Sequence, residues 1–288
     1  YFFSPSFYLN TKYISIFGRD FYVMTKEQIA GLLEGVPSAV GVYYIYDKHD
    51  ALIYVGKSID IRNRLLQHFR STDFKERKIQ GAACRVGFEL TGHELLALLY
   101  ESDLIKKHQP YYNRAQRRTY YGFGLYLAVN PSGYQVLQVE TLDPEREELM
   151  TFSSYQEGRE QLFHIVEAYQ LCQKINKLQT YTKHCFQYML KTCKGACIAQ
   201  ELPEDYNRRV QEFVVSSELP LGEIFLEFLG RNPNEKGLVY LLNGRYKGFG
   251  YCNKRVSSEK KKREAIVFKA ENRDVRRILR RYFKLNPV

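Results

Sequence analysis

The stretch GVYYIYDKHDALIYVGKSIDIRNRLLQHF, residues 41–69, decides the fold. Its first part, VGVYYIYD at 40–47, is rich in β-branched and aromatic residues and reads as a strand. KHDA (48–51) then makes a turn, and LIYVGKS (52–58) is a second strand of the same hairpin. From about Asp60 the pattern changes, because Ile61, Leu65 and Phe69 recur at helical spacing. Working outward, RVGFEL (85–90) predicts a third strand, and GHELLALLYESDLIKKHQ (92–109) predicts a longer helix stopped by Pro110. Upstream, TKEQIAGLLE (25–34) predicts a short helix with Thr25 as N-cap and Gln28 three positions on. Residues 1–20 alternate aromatic and apolar side chains and read as a strand or arm. The order β-β-α-β-α places this part in the α+β class.

Further along, GFGLYLAV and YQVLQVE form a hairpin (121–140) around the turn NPSG at 130–133. A helix is expected over 155–178, with Leu162, Ile165, Val166 and Tyr169 on its apolar face, and DYNRRVQEF (205–213) continues as helix. A last hairpin, GLVYLL and YKGFGY, turns at Asn243-Gly244, the strongest short hairpin signal in the chain. SSEKKKRE (257–264) reads as a charged, mobile loop, and NRDVRRILRRYFK (272–284) as a basic helix.

Composition narrows the function classes. The chain has 288 residues, 44% hydrophobic and 26% charged, which is that of a globular protein with a sizeable core. No apolar run reaches the length of a membrane span, and no secretory leader opens the chain, so a cytoplasmic location is expected. The chain opens on Tyr1 rather than Met, which reads as a processed chain or the tail of a longer polypeptide. A net charge of +11 points to a polyanionic partner, nucleic acid first among them.

The hairpin brings chemistry with it. Tyr43 and Tyr54 lie on its two strands, so the two phenols are able to approach each other. Gly56 allows backbone to come close to a ligand. Lys57 ends the strand, and Arg64, two helical turns in, is placed to share its wall. Tyrosine, with an ordinary pKa of about 10, is a poor base at neutral pH until a neighbouring cation lowers that value. A phosphodiester needs an activated water and positive charge on its developing pentavalent centre, and Tyr, Lys and Arg answer both needs. Glu101 interrupts an otherwise apolar helical stretch and is either at the edge of the apolar face or a metal-holding carboxylate. Asn113, after the helix stop, is a turn residue or a site residue. His68 is a helix-surface histidine or touches DNA or metal-bound water, and the neighbouring Arg62 is a candidate DNA contact.

These residues resemble the signature of the GIY-YIG nuclease superfamily. GVYYIY, IYVGKS and IDIRNRLLQHF match its first block, and LLALLYESDLIKKHQPYYN its second, as found in the bacterial excinucleases of the excinuclease C and Cho family. The match spans about residues 36–115, with GVY in place of GIY and YVG in place of YIG. The resemblance implies Tyr54 as general base supported by Tyr43 and Lys57, and Arg64 as stabiliser of phosphate charge. It implies Glu101 as holder of a single Mg²⁺ or Mn²⁺, and Asn113 as a positioning group.

Four of the six cysteines, Cys172, Cys185, Cys193 and Cys197, cluster. Cys193 and Cys197 stand at i and i+4, so the spacing places both thiols on one helical face. Nearby lysines favour thiolates, and four thiolates suit zinc or an iron–sulfur cluster, although the short paired spacing of zinc ribbons is missing. CFQYMLKTCKGAC followed by PEDYNRRV resembles the cysteine-bearing region of the same family, which implies a [4Fe–4S] cluster on these four residues, with Zn as the alternative.

The expected organisation is an arm and helix (1–35), a GIY-YIG nuclease domain (36–117), a hairpin plus helical cysteine domain (118–215) and a C-terminal hairpin with basic helix (216–288). Arg276 and Arg280 of that helix contact DNA backbone, or else the helix face is merely solvated. With about 90 residues after Cys197, the plan resembles the shorter members of the family, of which Cho is one. That likeness implies incision of duplex DNA on the 3′ side of a bulky lesion, giving 3′-hydroxyl and 5′-phosphate ends. The implied partner is the damage-loaded helicase UvrB. A homing or branched-DNA endonuclease, and a catalytically silent iron–sulfur DNA-binding protein, are the rival readings.

Overall fold

A computed structural model describes residues 12–16, 19–113, 121–143, 145–179 and 186–286. They group into two compact units, 1–118 with 222–271, and 119–221 with 272–288. The region 216–288, expected to be one part, is therefore shared between the two.

In the first unit, β1 (Lys12–Ile16) and β2 (Arg19–Val23) pair antiparallel. Helix α1 (Lys26–Leu32) starts with the expected capping box: Gln28 N–H donates to the Thr25 hydroxyl and Thr25 N–H to the Gln28 side chain. The predicted hairpin follows as β3 (Gly41–Tyr46) and β4 (Leu52–Ser58), then α2 (Ile61–Arg70), α3 (Phe74–Ala82), β5 (Arg85–Leu90), α4 (Glu94–His108) and a 3₁₀ turn at Tyr111–Asn113. The antiparallel sheet runs β4-β3-β5, with Tyr43 opposite Gly56 and Val42 opposite Lys57.

Alternation along β3 sends side chains to opposite faces. Tyr43 and Ile45 pack with Ile61, Leu65, Phe69 and Ile79 from α2 and α3, whereas Val42 and Tyr44 pack with Ala97, Leu104 and Ile105 from α4. Helix α3 was not anticipated from the sequence.

The same unit holds a second antiparallel sheet. Its strands are β9 (Glu223–Leu229), β10 (Glu235–Leu242), β11 (Arg245–Asn253) and β12 (Ile266–Phe268), in the order β12-β11-β10-β9. The β10–β11 turn sits where the sequence placed it, with Asn243 at φ 50° and Gly244 at φ 71°. This sheet covers the far side of α4. The His93 ring stacks on Phe228 with centroids 4.1 Å apart, and Tyr100 meets Phe249 edge-on at 5.6 Å. A helix packed on both sides is apolar nearly all round, which accounts for the composition of 94–108.

The segment 257–264, expected as a loop, contains the helix Glu259–Glu264. Its charge is not free: Lys262 pairs with Glu227 at 2.6 Å and Arg263 with Glu223 at 2.6 Å, both acids on β9.

The second unit contains β6 (Phe123–Val129), β7 (Gln135–Thr141) and β8 (Met150–Phe152), in the order β7-β6-β8. The helices Tyr155–Ala168 and Pro203–Ser217 close a core that includes Leu125, Leu137, Leu162, Ile165, Tyr206 and Val210. The helix expected over 155–178 stops at Ala168, with Gln170 in the left-handed region at φ 49°. Arg209 explains the stop. Its guanidinium donates to the carbonyls of Tyr169 and Gln170, each at 3.0 Å, and pairs with the Glu201 carboxylate. Orphan carbonyls at a helix end need such donors.

The basic helix Arg273–Leu285 belongs to this unit. Arg276 pairs with Glu147 at 3.2 Å, and Arg280 donates to the Leu149 carbonyl. Both residues, expected as DNA contacts, are thus engaged inside the protein. Among the described residues no helix is long and apolar enough to cross a membrane.

Candidate active site

Strand β4 is an edge strand, so the backbone groups of Val55 and Lys57 that point away from β3 need partners. The middle of α4 and the turn after the helix supply them. Asn113 acts as a substitute peptide: its Oδ1 accepts Val55 N–H at 2.8 Å and its Nδ2 donates to Val55 O at 2.8 Å. Two residues on, Glu101 Oε1 accepts Lys57 N–H at 3.1 Å. Asn113, almost fully buried, therefore fixes the strand that carries Tyr54 and Gly56.

On the side facing α2 and α3, the phenols come together. Tyr43 and Tyr54 have ring centroids 6.0 Å apart, with planes tilted by 36°. Tyr43 stands over Gly56, where a Cβ would lie 2.4 Å from its Cζ and Oη, so only glycine fits opposite this ring. The Tyr43 hydroxyl is 2.6 Å from His68 Nε2, and His68 Nδ1 contacts the Glu76 carboxylate. His68 is 3% exposed, which corrects the expectation of a surface histidine or DNA contact. Arg64 Nη1 donates to Gln67 Oε1 at 3.2 Å, and its charge acts on Tyr43, Tyr54 and Glu101.

The Lys57 ammonium pairs with Glu94 in the first turn of α4, and the charges of Lys57 and Arg64 both act on the Glu101 carboxyl. Arg62, also expected to face DNA, donates instead to Leu33 O at 2.8 Å and Val36 O at 3.1 Å, holding the end of α1.

The electrostatics differ from the sequence expectation in one respect. Burial, followed by the charges of Glu101 and Glu76, pushes the Tyr54 phenol up to about 12, and Arg64 only partly opposes this. Burial pushes Tyr43 well above its ordinary value. Burial likewise lifts the Glu101 carboxyl to about 7, against the opposing pull of the Lys57 N–H, Lys57 and Arg64. A carboxylate so placed favours a bound cation, which would restore its charge balance.

Sequence reasoning missed Lys75 and Glu76. Lys75 Nζ lies 5.6 Å from the centre of the Tyr54 ring, and Glu76 holds His68. Both stand on α3, outside any recognisable motif. The only signal for Glu76 was its place in the first turn of a short amphipathic segment.

Residues 39–114 match the UvrC-like GIY-YIG domain, and residues 125–216 match the UvrC/Cho excinuclease middle domain. The chain belongs to the UvrC/Cho excinuclease family. Excinuclease Cho of Salmonella typhi is 31% identical over 190 residues, covering 64% of this chain and 64% of that protein. UvrABC system protein C of Fervidobacterium nodosum is 30% identical over 187 residues, 63% of this chain and 32% of that one. The chain thus spans less than two thirds of the length of these relatives. A crystal structure of the GIY-YIG N-terminal endonuclease domain of UvrC from Thermotoga maritima, bound to magnesium, is 30% identical, with a TM-score of 0.29. It covers 31% of this chain and 99% of that one. The sheet β9–β12 lies outside both family matches.

In the second unit the cysteines do not form the expected helical pair. Gly195, at φ 84°, breaks the chain between Cys193 and Cys197, and the latter falls in a 3₁₀ turn at Ala196–Ile198. The Cys197 side chain and the backbone N–H groups of Ile175 and Lys174 act on the Cys172 thiol. Burial pushes the Cys172 thiol up to about 12. Cys193 is buried. Cys185 lies outside the described residues, and among those described no group of three metal-ligating side chains assembles.

Proposed function

We propose that the first unit is a DNA endonuclease that hydrolyses one phosphodiester with a single divalent cation. The observation that carries this reading is the convergence of Tyr54, the Tyr43–His68 pair, Arg64 and Glu101 around β4. Glu101 offers an isolated carboxylate with Oε1 on Lys57 N–H and no hydrogen bond on Oε2 among the described residues. A lone carboxylate suits Mg²⁺ or Mn²⁺, hard cations that keep most of their water. The cation supplies positive charge where the phosphate develops negative charge.

The chain's own groups do the rest. Tyr54 takes a proton from the attacking water. Arg64 holds the phosphate and offsets its growing charge. Asn113 and Gly56 keep β4 and the two phenols in register. Lys57, paired with Glu94, steadies the start of α4 and so the placement of Glu101.

On this reading the substrate is duplex DNA bearing a bulky lesion, cut on the 3′ side in nucleotide excision repair with UvrB loading the DNA. Membership of the excinuclease family and the net charge of +11 support it. The test is a duplex with one bulky adduct, with and without UvrB, beside an undamaged duplex and a four-way junction. Cutting restricted to the loaded adduct, leaving 3′-hydroxyl and 5′-phosphate ends, is the expected result. Preferential cutting of the junction would replace excision repair by a branched-DNA activity.

For the cysteines we infer a thiolate-bound cluster or zinc ion, with Cys172, Cys193 and Cys197 joined by Cys185. The two N–H groups directed at the Cys172 sulfur support it, since such donors favour a thiolate. It takes no part in hydrolysis. Iron and zinc analysis of protein purified without oxygen tests it: absence of both metals would remove the site.

A further inference from the structure

We propose that the sheet β9–β12 carries a second DNA contact, at which Lys254, Arg255, Lys260 and Lys261 hold the phosphate backbone on the face turned away from α4. The inference rests on the endonuclease reading for the choice of polyanion, and deepens it. It starts from where the charge lies. Between Arg245 and Lys269 the chain has nine Lys and Arg against two acids, Glu259 and Glu264, an excess of seven where the whole chain carries +11. That stretch comprises β11, the helix Glu259–Glu264 and β12, and it lies outside both family matches.

The fold decides which of these charges meet solvent. Neighbouring positions along a strand take opposite faces of the sheet. One face of this sheet lies on α4: a Cβ on Gly237 would fall 2.3 Å from Leu96 Cδ1, and Phe249 meets Tyr100 edge-on. On the other face Leu238, Tyr240 and Ile266 form a separate cluster with Phe225, Cys252 and Ala265. The helix Glu259–Glu264 is seated on that cluster. Lys262 Nζ stands 5.8 Å from the centre of the Phe225 ring, and Lys262 and Arg263 pair with Glu227 and Glu223 of β9.

Those two pairs set the helix's rotation. With 3.6 residues per turn, anchoring Lys262 and Arg263 on β9 turns Lys260 and Lys261 outwards. Lys254 and Arg255 lie in the turn that leads into the helix. Backbone bonds fix that turn: Lys254 N–H donates to Asn234 O at 2.9 Å, Val256 N–H to Asn253 O at 2.9 Å, and Arg255 N–H to Asn253 Oδ1 at 3.0 Å. All four side chains are exposed, and none has an acid partner among the described residues. Glu259 and Glu264, also exposed, are the acids of the same helix. The four cations are thus presented from a built support.

Their chemistry selects the partner. Lysine is depleted in protein–protein interfaces, whereas a phosphate backbone is met by Lys and Arg through a wet, strongly positive surface. A lysine-rich patch of this kind holds DNA without reading its sequence.

The test is fluorescence anisotropy of a labelled duplex bound by the full chain without divalent cation, so that nothing is cut, over about 50–200 mM salt. The variant carries Lys254→Gln, Arg255→Gln, Lys260→Gln and Lys261→Gln. Each phosphate contact contributes about 0.9 to the slope of log affinity against log salt, so the variant's slope is shallower by about 3–4. The affinity gap between wild type and variant then closes about 100-fold across that range. Lys260→Gln with Lys261→Gln alone gives about half the change of slope, and Lys254→Arg, Lys260→Arg and Lys261→Arg together keep the wild-type slope. Tm is unchanged throughout, since the side chains are exposed. In Mg²⁺ the four-fold variant keeps its kcat while KM rises, because the contact is made equally before and during the reaction. A four-fold variant with the wild-type slope overturns the proposal and leaves the patch to an acidic protein partner. Lys26→Gln with Lys48→Gln removes two exposed lysines from α1 and the β3–β4 turn as a control. An equal loss of slope per charge in that control also overturns the proposal, since it marks net charge alone. A wild type that leaves DNA intact in both Mg²⁺ and Mn²⁺ overturns the endonuclease reading instead, and the salt slopes still decide the contact.

Discussion

Replacing Gly56 by alanine presses on the hairpin at its tightest point. The added Cβ falls 2.4 Å from both Cζ and Oη of Tyr43 and 2.9 Å from Cε1. Carbon atoms in contact stand about 3.5–4.0 Å apart, so the ring must retreat by about 1 Å. It has nowhere to go without loss, being 1% exposed with His68 Nε2 at 2.6 Å from its hydroxyl. Overpacking of this kind costs about 1–3 kcal/mol, and the strained buried hydrogen bond about 1 kcal/mol more. For a unit of this size that lowers Tm by about 5–12 °C. Displacing a reacting group by this much costs about 100-fold in rate. Thermal unfolding and a DNA cleavage assay on the same preparation read both effects. Gly31→Ala is the control: no atom lies within 4 Å of its Cβ, and in helix α1 the change stabilises by about 0.5–1 kcal/mol. If Gly56→Ala keeps wild-type Tm and rate, the phenol packing described above is wrong.

Asn113→Ala removes both bonds to Val55 and leaves a buried N–H and C=O unmet, which lowers stability by about 2–4 kcal/mol in urea unfolding. Asn113→Asp is no rescue, since it sets an acceptor against the Val55 carbonyl. Glu101→Gln acts on the pH dependence of metal-free protein. The Glu101 carboxyl, lifted to about 7 in the folded state, stays protonated there after its unfolded counterpart has ionised, so its contribution falls as pH rises from 4.5 through 7. The variant's stability advantage over wild type is therefore absent below that window and grows to at most about 3 kcal/mol above it, and Mg²⁺ reduces the advantage. A constant difference from pH 4 to 8 would contradict it. Arg209→Met leaves the Glu201 carboxylate, 5% exposed, without its guanidinium, and destabilises by about 3–5 kcal/mol on denaturant unfolding.

The hairpin was legible because its register is local: eleven residues separate Tyr43 from Tyr54, and a short turn fixes which faces they share. Glu101 stood out as one carboxylate in an apolar helix. The reason the rest of that helix is apolar was not legible, because the sheet β9–β12 that covers its far side lies more than a hundred residues away in sequence. His68 was visible as a residue four positions after Arg64, yet its burial depends on α3, a segment whose mixed charges gave no clear period. The same gap hid Glu76 and Lys75. The expected lowering of the Tyr54 phenol failed for a related reason. Spacing revealed the nearby cations, whereas burial and two carboxylates outweigh them. Arg62, Arg276 and Arg280 looked like a basic surface in sequence, and each is used by a carbonyl or a carboxylate.

The central claim is tested most directly by end-group analysis of DNA incubated with Mg²⁺ and wild type, Glu101→Gln or Tyr54→Phe, all shown to be folded. The account requires a cut with 3′-hydroxyl and 5′-phosphate ends by wild type, reduced at least about 100-fold by each substitution. Undiminished cutting by either variant would place the chemistry elsewhere in the molecule.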